Sequence, residues 1–181
     1  MTKLFFAPLV VLIASLAACQ SPTRQEAPKA DTRAVGTNRA FYHEVSTTAE
    51  PTAIWRLWTD VSTWKDWDKG LADAKLGGPF VVGATGTITP RSGPPARFDI
   101  TQYEEGVSYA FETRLPLARL EVRRSFVRKD PVVIRHDVRF KGALGGFWAG
   151  RFGPSFREAL PPTMNELTRL AEQKELATQE P

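Results

Sequence analysis

The side chains with chemical reach in this sequence are few. His43 and His136 are its two histidines, Cys19 is its one cysteine, and Arg124 stands in the middle of an otherwise apolar strand face. A thiolate or imidazole metal centre takes three or four ligands, more than these residues supply, so no metal or resident cofactor is expected. Serine chemistry wants an elbow such as Gly-x-Ser-x-Gly with a base and an orienting acid, and no serine here sits in one. Proton transfer by a single base is within reach of His136, the candidate acid/base. Gly77, Gly78, Gly83 and Gly86 lack the Gly-Lys-Ser/Thr ending of a phosphate loop and read as turn and close-approach positions.

Alternation along the strands says which of these groups share a side. On Arg119–Arg128 and Val132–Lys141, one face carries Leu120, Val122, Arg124 and Phe126, then Ile134, His136, Val138 and Phe140. The apolar set must face the core, and it takes Arg124 and His136 inward with it. The same logic on Arg39–Thr47 turns His43 inward beside Phe41 and Val45. A buried guanidinium is costly unless paired, so Arg124 needs a carboxylate, a carbonyl or the anionic head of a ligand. The alternative is that Arg124 snorkels at the sheet edge and the histidines are satisfied core residues. The opposite face alternates Arg119, Arg123, Arg135, Arg139 and Lys141 with acids, which reads as a solvated sheet surface; the alternative is a lipid- or partner-binding patch. No basic run of the kind a nucleic-acid tail carries is present. The net charge of +4 over 181 residues agrees.

The elements that must hold these residues follow from period and punctuation. Ala53–Asp68 contains four of the five tryptophans. Pro51–Thr59 has an apolar stripe at helical spacing, and Asp60 or Ser62 can cap a second short turn through Trp64 and Trp67. Trp55 and Trp58 are assigned to core, Trp64 and Trp67 to ligand contact. Ala74–Gly78, Gly83–Thr89, Arg97–Glu104 and Ser108–Leu115 read as strands with turns between them. Trp148, Phe152, Phe156, Leu160, Met164, Leu167 and Ala171 form one stripe on a long last helix, which Pro154, Pro161 and Pro162 should bend or segment. Strands joined by short turns pair antiparallel, so the class is α+β with the last helix over one sheet face.

Before this unit, Met1-Thr2-Lys3 and the apolar Leu4–Ala14 describe a secretory signal, too short for a membrane span. Leu16-Ala17-Ala18-Cys19 resembles the lipobox of bacterial lipoproteins. That resemblance implies a signal peptide over 1–18, a lipid on Cys19, and export to a membrane-anchored position. Gln20 after the cysteine implies the periplasmic side of the outer membrane in a diderm host. The alternative is a plain signal peptide with an incidental cysteine. Residues 19–38 are polar and read as a disordered tether, and 176–181 as a flexible tail.

Several stretches in order resemble the START-related polyketide cyclase/dehydrase (SRPBCC) superfamily. They are Ala49-Glu50-Pro51 before Ile54-Trp55, Trp58-Thr59-Asp60-Val61, Trp64–Asp68, Leu76–Phe80 with Gly83–Thr87, and Arg135–Gly142. The resemblance implies a ligand-binding domain over 39–175 with the helix-grip fold. In it a curved antiparallel sheet of about seven strands wraps a long C-terminal helix, and two short helices follow the first strand. It also implies an elongated apolar cavity that takes a hydrophobic small molecule or lipid. Arg124, His136, His43, Trp64, Trp67, Phe111, Phe126, Phe140 and Phe156 are the candidate ligand contacts. The alternatives are an aromatase/cyclase-type enzyme using His136, and a non-catalytic envelope lipoprotein. No nucleic-acid partner is expected.

Overall fold

The computed structural model describes the backbone of residues 32–179 and the side chains of 37–174. Cys19, the signal segment and most of the expected tether lie outside the described residues.

Eight strands form one antiparallel sheet. They are β1 (Thr32–Thr37), β2 (Ala40–Thr47), β3 (Leu71–Leu76), β4 (Thr85–Pro90), β5 (Ala96–Glu104), β6 (Ser108–Leu115), β7 (Ala118–Lys129) and β8 (Val132–Lys141). Their order across the sheet is β1-β2-β8-β7-β6-β5-β4-β3. Seven strands match the expected helix-grip set, and β1 is an addition inside the stretch read as tether. Its pairing with the edge of β2 satisfies backbone donors and acceptors, which requires no apolar alternation in the sequence.

The two elements after β2 fall where spacing places them. Helix α1 (Pro51–Thr59) has proline in its first turn and buries Ile54, Leu57 and Trp58. A single 3-10 turn, Val61–Thr63, follows, and the Asp60 carboxylate accepts from Ser62 N–H at its start. Helix α2 (Trp64–Trp67) is one turn long and buries both of its tryptophans.

Helix α3 runs unbroken from Gly145 to Gln179, through Pro154, Pro161 and Pro162. The expected segmentation is not seen, and the helix continues into the stretch read as tail. Each proline removes one backbone donor, and two of the carbonyls so freed, on Gly150 and Glu158, belong to exposed residues where water can satisfy them. The last turns are fastened to the end of β2. Glu172 accepts from Thr47 Oγ1 at 2.8 Å, Thr48 Oγ1 at 2.9 Å and Thr48 N–H at 3.2 Å.

The outer sheet face is tied by ion pairs: Arg119 to Glu112, Lys141 to Glu112 and Glu121, Arg135 to Glu44, and Arg114 to Asp99. The inner face holds two apolar clusters. One gathers Val45, Ile54, Trp58, Trp64, Trp67, Phe98, Ile134 and Met164. The other gathers Phe41, Leu120, Val138, Phe140, Ala149 and Leu160. On β2 and β8 the residues between the clusters are His43 and His136.

Candidate functional site

Strand register builds the site. His43 on β2 pairs with His136 on β8, His136 with Arg124 on β7, Arg124 with Tyr109 on β6, and Tyr109 with Tyr103 on β5. One polar row therefore crosses five strands of the inner face. His43 is 1% exposed, Arg124 3% and His136 6%, so the centre of the row is sealed from bulk water, while Tyr103 at its end is partly exposed.

Arg124 is its centre. One Nη donates to the Tyr109 hydroxyl, while Nε has no hydrogen-bond partner among the described residues. The guanidinium carbon lies 4.7 Å from the Trp64 ring and 4.6 Å from the Trp67 ring, with Tyr109 and Phe111 each at 5.6 Å. No carboxylate comes within 4.0 Å of it among the described residues. The carboxylate that shares its field is Asp68, the C-cap of α2. Burial pushes that carboxyl above the usual carboxylate range, the Arg124 charge pulls it back, and Gly70 N–H donates to it at 3.0 Å.

The protonation states are set by the same burial. His136 is held well below the ordinary imidazole value by desolvation first, then by the Arg124 and His43 charges. It is therefore a neutral imidazole at neutral pH, which resists protonation but can accept a hydrogen bond. The Tyr109 hydroxyl is pushed up to about 12 by burial, against the pull of Arg124, and stays a donor.

Of the residues selected from sequence, Arg124, Trp64, Trp67 and Phe111 come together, with His136 and His43 next along the row. Phe126, one alternation further along β7 and in the same register, packs instead beside Trp58 at 5.0 Å in the first cluster. Phe140 and Phe156 pair at 6.2 Å in the second cluster. Trp64 and Trp67 are fully buried, whereas Trp55 is only half-buried. At the level of Arg124, the space expected between sheet and helix is filled by aromatic rings. Tyr109 and Asp68 were not selected. Tyr109 shares a face with Phe111 two residues on, a usable signal; nothing local connects Asp68 to Arg124.

The loop 77–84 covers the far end of the row. Its Phe80 ring stands edge-on to Tyr109 at 4.8 Å and lies 5.8 Å from Tyr103. Gly83 in this loop has φ +87, a conformation that glycine adopts freely. Outside the loop is an open cleft of about 800 Å³, lined by residues of 75–87 and Arg97 but by none of the row.

The family model described as polyketide cyclase / dehydrase and lipid transport matches residues 39–172. The chain belongs to that family. The polar row and both tryptophans on Arg124 lie inside the matched span. Solved structures share the fold at low identity. A protein from Arthrobacter aurescens aligns with a TM-score of 0.60 and 14% identity, over 79% of this chain and 91% of its own. A protein from Nitrosomonas europaea gives 0.61 and 11%, over 78% and 99%. Norcoclaurine synthase from Thalictrum, a point mutant in complex with a transition-state analogue, gives 0.53 and 13%, over 81% and 98%. No curated protein matches the chain in sequence.

Proposed function

We propose that this domain binds a hydrophobic small molecule or lipid between the sheet and α3, with the ligand's anionic head on Arg124 and His136. Arg124 carries the reading. A guanidinium taken out of water without an ion pair loses several kcal/mol of hydration, and aromatic faces return only part of that. A carboxylate or phosphate accepting from its unpartnered Nε would complete the set, in the charge-assisted geometry that arginine favours. The family's lipid-transport description points the same way. Because aromatic rings fill the space at Arg124, binding requires Trp64 and Trp67 to shift as well as loop 77–84 with Phe80 to open.

The same proposal includes export and anchoring through a lipidated Cys19. Residues 1–19 support it by their composition; no helix among the described residues is long and apolar enough to cross a membrane.

A second reading is an enzyme. A neutral His136 in one row with a protonated Tyr109 supplies a base and a donor on the same sheet face. The Thalictrum neighbour is a synthase on this fold.

Native mass spectrometry of the full-length protein, extracted in mild detergent, tests the binding reading against Arg124→Met. Wild type should retain an anionic amphiphile, and the variant should lose it while keeping its circular dichroism. The affinity for a fluorescent fatty acid should fall about tenfold or more on losing one charge-assisted pair. Equal occupancy in both proteins would remove Arg124 as the head-group site. An empty wild type that also ignores the probe would leave a structural lipoprotein.

A further inference from the structure

At the end of the sheet where α3 begins, the surface departs from the ordinary. Leu117, in the two-residue corner between β6 and β7, is 74% exposed and has φ +53. A leucine in the left-handed region is strained by its own Cβ, and its exposed side chain recovers nothing by burial. The corner is nevertheless firmly built. Leu144 N–H donates to Leu117 O at 3.1 Å, Trp148 Nε1 donates to Pro116 O at 3.0 Å, and a Cβ on Gly142 would come within 2.9 Å of Leu117 O.

The first turns of α3 extend the patch. Leu144 is 39% exposed and Phe147 63%. Phe147 stands edge-on to Trp148 at 5.1 Å, and Trp148 stacks on Phe152 at 5.4 Å. From Val138 to Arg157 the sequence contains Arg139, Lys141, Arg151 and Arg157 and no acid at all. Arg151, exposed beside Phe152, forms no ion pair among the described residues. The Arg39 guanidinium lies against Gly145 and Gly146 and forms none either.

We infer that this end of the domain docks on a bilayer containing anionic phospholipid. Leu117, Leu144 and Phe147 enter the acyl boundary, Trp148 sits at head-group level, and Arg151 and Arg39 meet the lipid phosphates. Apolar and aromatic side chains flanked by Arg151 and Arg39, neither of which is in an ion pair among the described residues, match that interface in both polarity and charge. Self-association fits less well, since a two-fold dimer through this face would set the arginines of one copy against those of the other. The surface is separate from the Arg124 row, and the inference does not rest on what that row binds.

The test uses the full chain carrying Cys19→Ser, so that neither a lipid nor a second thiol intervenes. An environment-sensitive nitrobenzoxadiazole label is placed at Leu117→Cys, at Phe147→Cys, or at the control Val127→Cys, an exposed apolar position near the far end of β7. Vesicles of phosphatidylcholine with phosphatidylglycerol should shift the 117 and 147 labels to the blue and leave the 127 label unchanged. Vesicles of phosphatidylcholine alone should give weaker binding. Phe147→Ser should weaken vesicle binding about tenfold, and Arg151→Glu about fivefold in a salt-dependent manner. Leu117→Gly relieves the backbone strain, so it should weaken binding while leaving the melting temperature unchanged or raised.

No shift at 117 and 147, an equal shift at all three labels, or indifference to anionic lipid would overturn the inference. So would a shift at 117 and 147 that develops with protein concentration in the absence of lipid, which would identify a second copy as the occupant.

Discussion

Acidification should weaken the fold through His136, by an amount that the structure sets. The unfolded chain carries an ordinary imidazole near 6.5, while the folded one is held well below that by burial and by the facing Arg124 and His43 charges. Below the ordinary value the unfolded state takes up a proton that the folded state refuses, so stability falls as pH falls. Each pH unit is worth about 1.4 kcal/mol while the folded imidazole stays neutral. Between about pH 7.5 and about pH 5.5, the unfolded-state titration integrates to a loss of about 1.4 kcal/mol from this residue. Asp68 acts in the opposite sense. Its carboxyl, raised above 3.8 in the fold, takes up its proton there before the unfolded chain does and so favours the folded state as pH falls toward 3.8; a variant that keeps Asp68 shares this contribution, which cancels in a comparison with wild type. The assay is urea denaturation of wild type and His136→Gln at both pH values, followed by tryptophan fluorescence. Glutamine does not titrate, so the variant should be less stable than wild type at neutral pH from lost packing, but its loss on acidification should be smaller by that same amount. Parallel losses in the two proteins would refute the claim that His136 is buried and neutral.

At the alkaline end, Tyr109, pushed up to about 12, keeps its proton after the unfolded tyrosine loses its own near 10.0. Stability should therefore drop by up to about 2.7 kcal/mol as pH rises between these values, a component that Tyr109→Phe abolishes in the same denaturation series. Gly86→Ala would set a Cβ 2.3 Å from the Phe98 ring and 2.4 Å from the Lys75 carbonyl. Phe98 is fully buried and the other obstacle is backbone, so a loss of about 3 kcal/mol or failure to fold is expected, read from the urea midpoint. A wild-type midpoint in that variant would mean that β3 and β4 separate at little cost.

Much of this protein was legible in its sequence, because the relevant patterns are local. Two-residue alternation placed Phe41, His43 and Val45, then Ile134, His136, Val138 and Phe140, on the inner face. Helical spacing after Pro51 placed Ile54, Leu57 and Trp58 in the core. Each signal concerns neighbours along one strand or one helix, where backbone geometry alone fixes direction.

What the sequence could not decide is which strands sit opposite which residues. Register made Tyr109 the partner of Arg124 and set His43 against His136, and the closing turn of α2 brought Asp68 into the same field. β1 joined the sheet by backbone pairing that leaves no mark in side-chain pattern. The exposed, strained Leu117 beside the α3 aromatics likewise exists only because β6, β7 and α3 meet at one corner. Direction within an element is local and can be read from residue type. Juxtaposition between elements depends on the packing of the whole chain, and only the tertiary structure holds it.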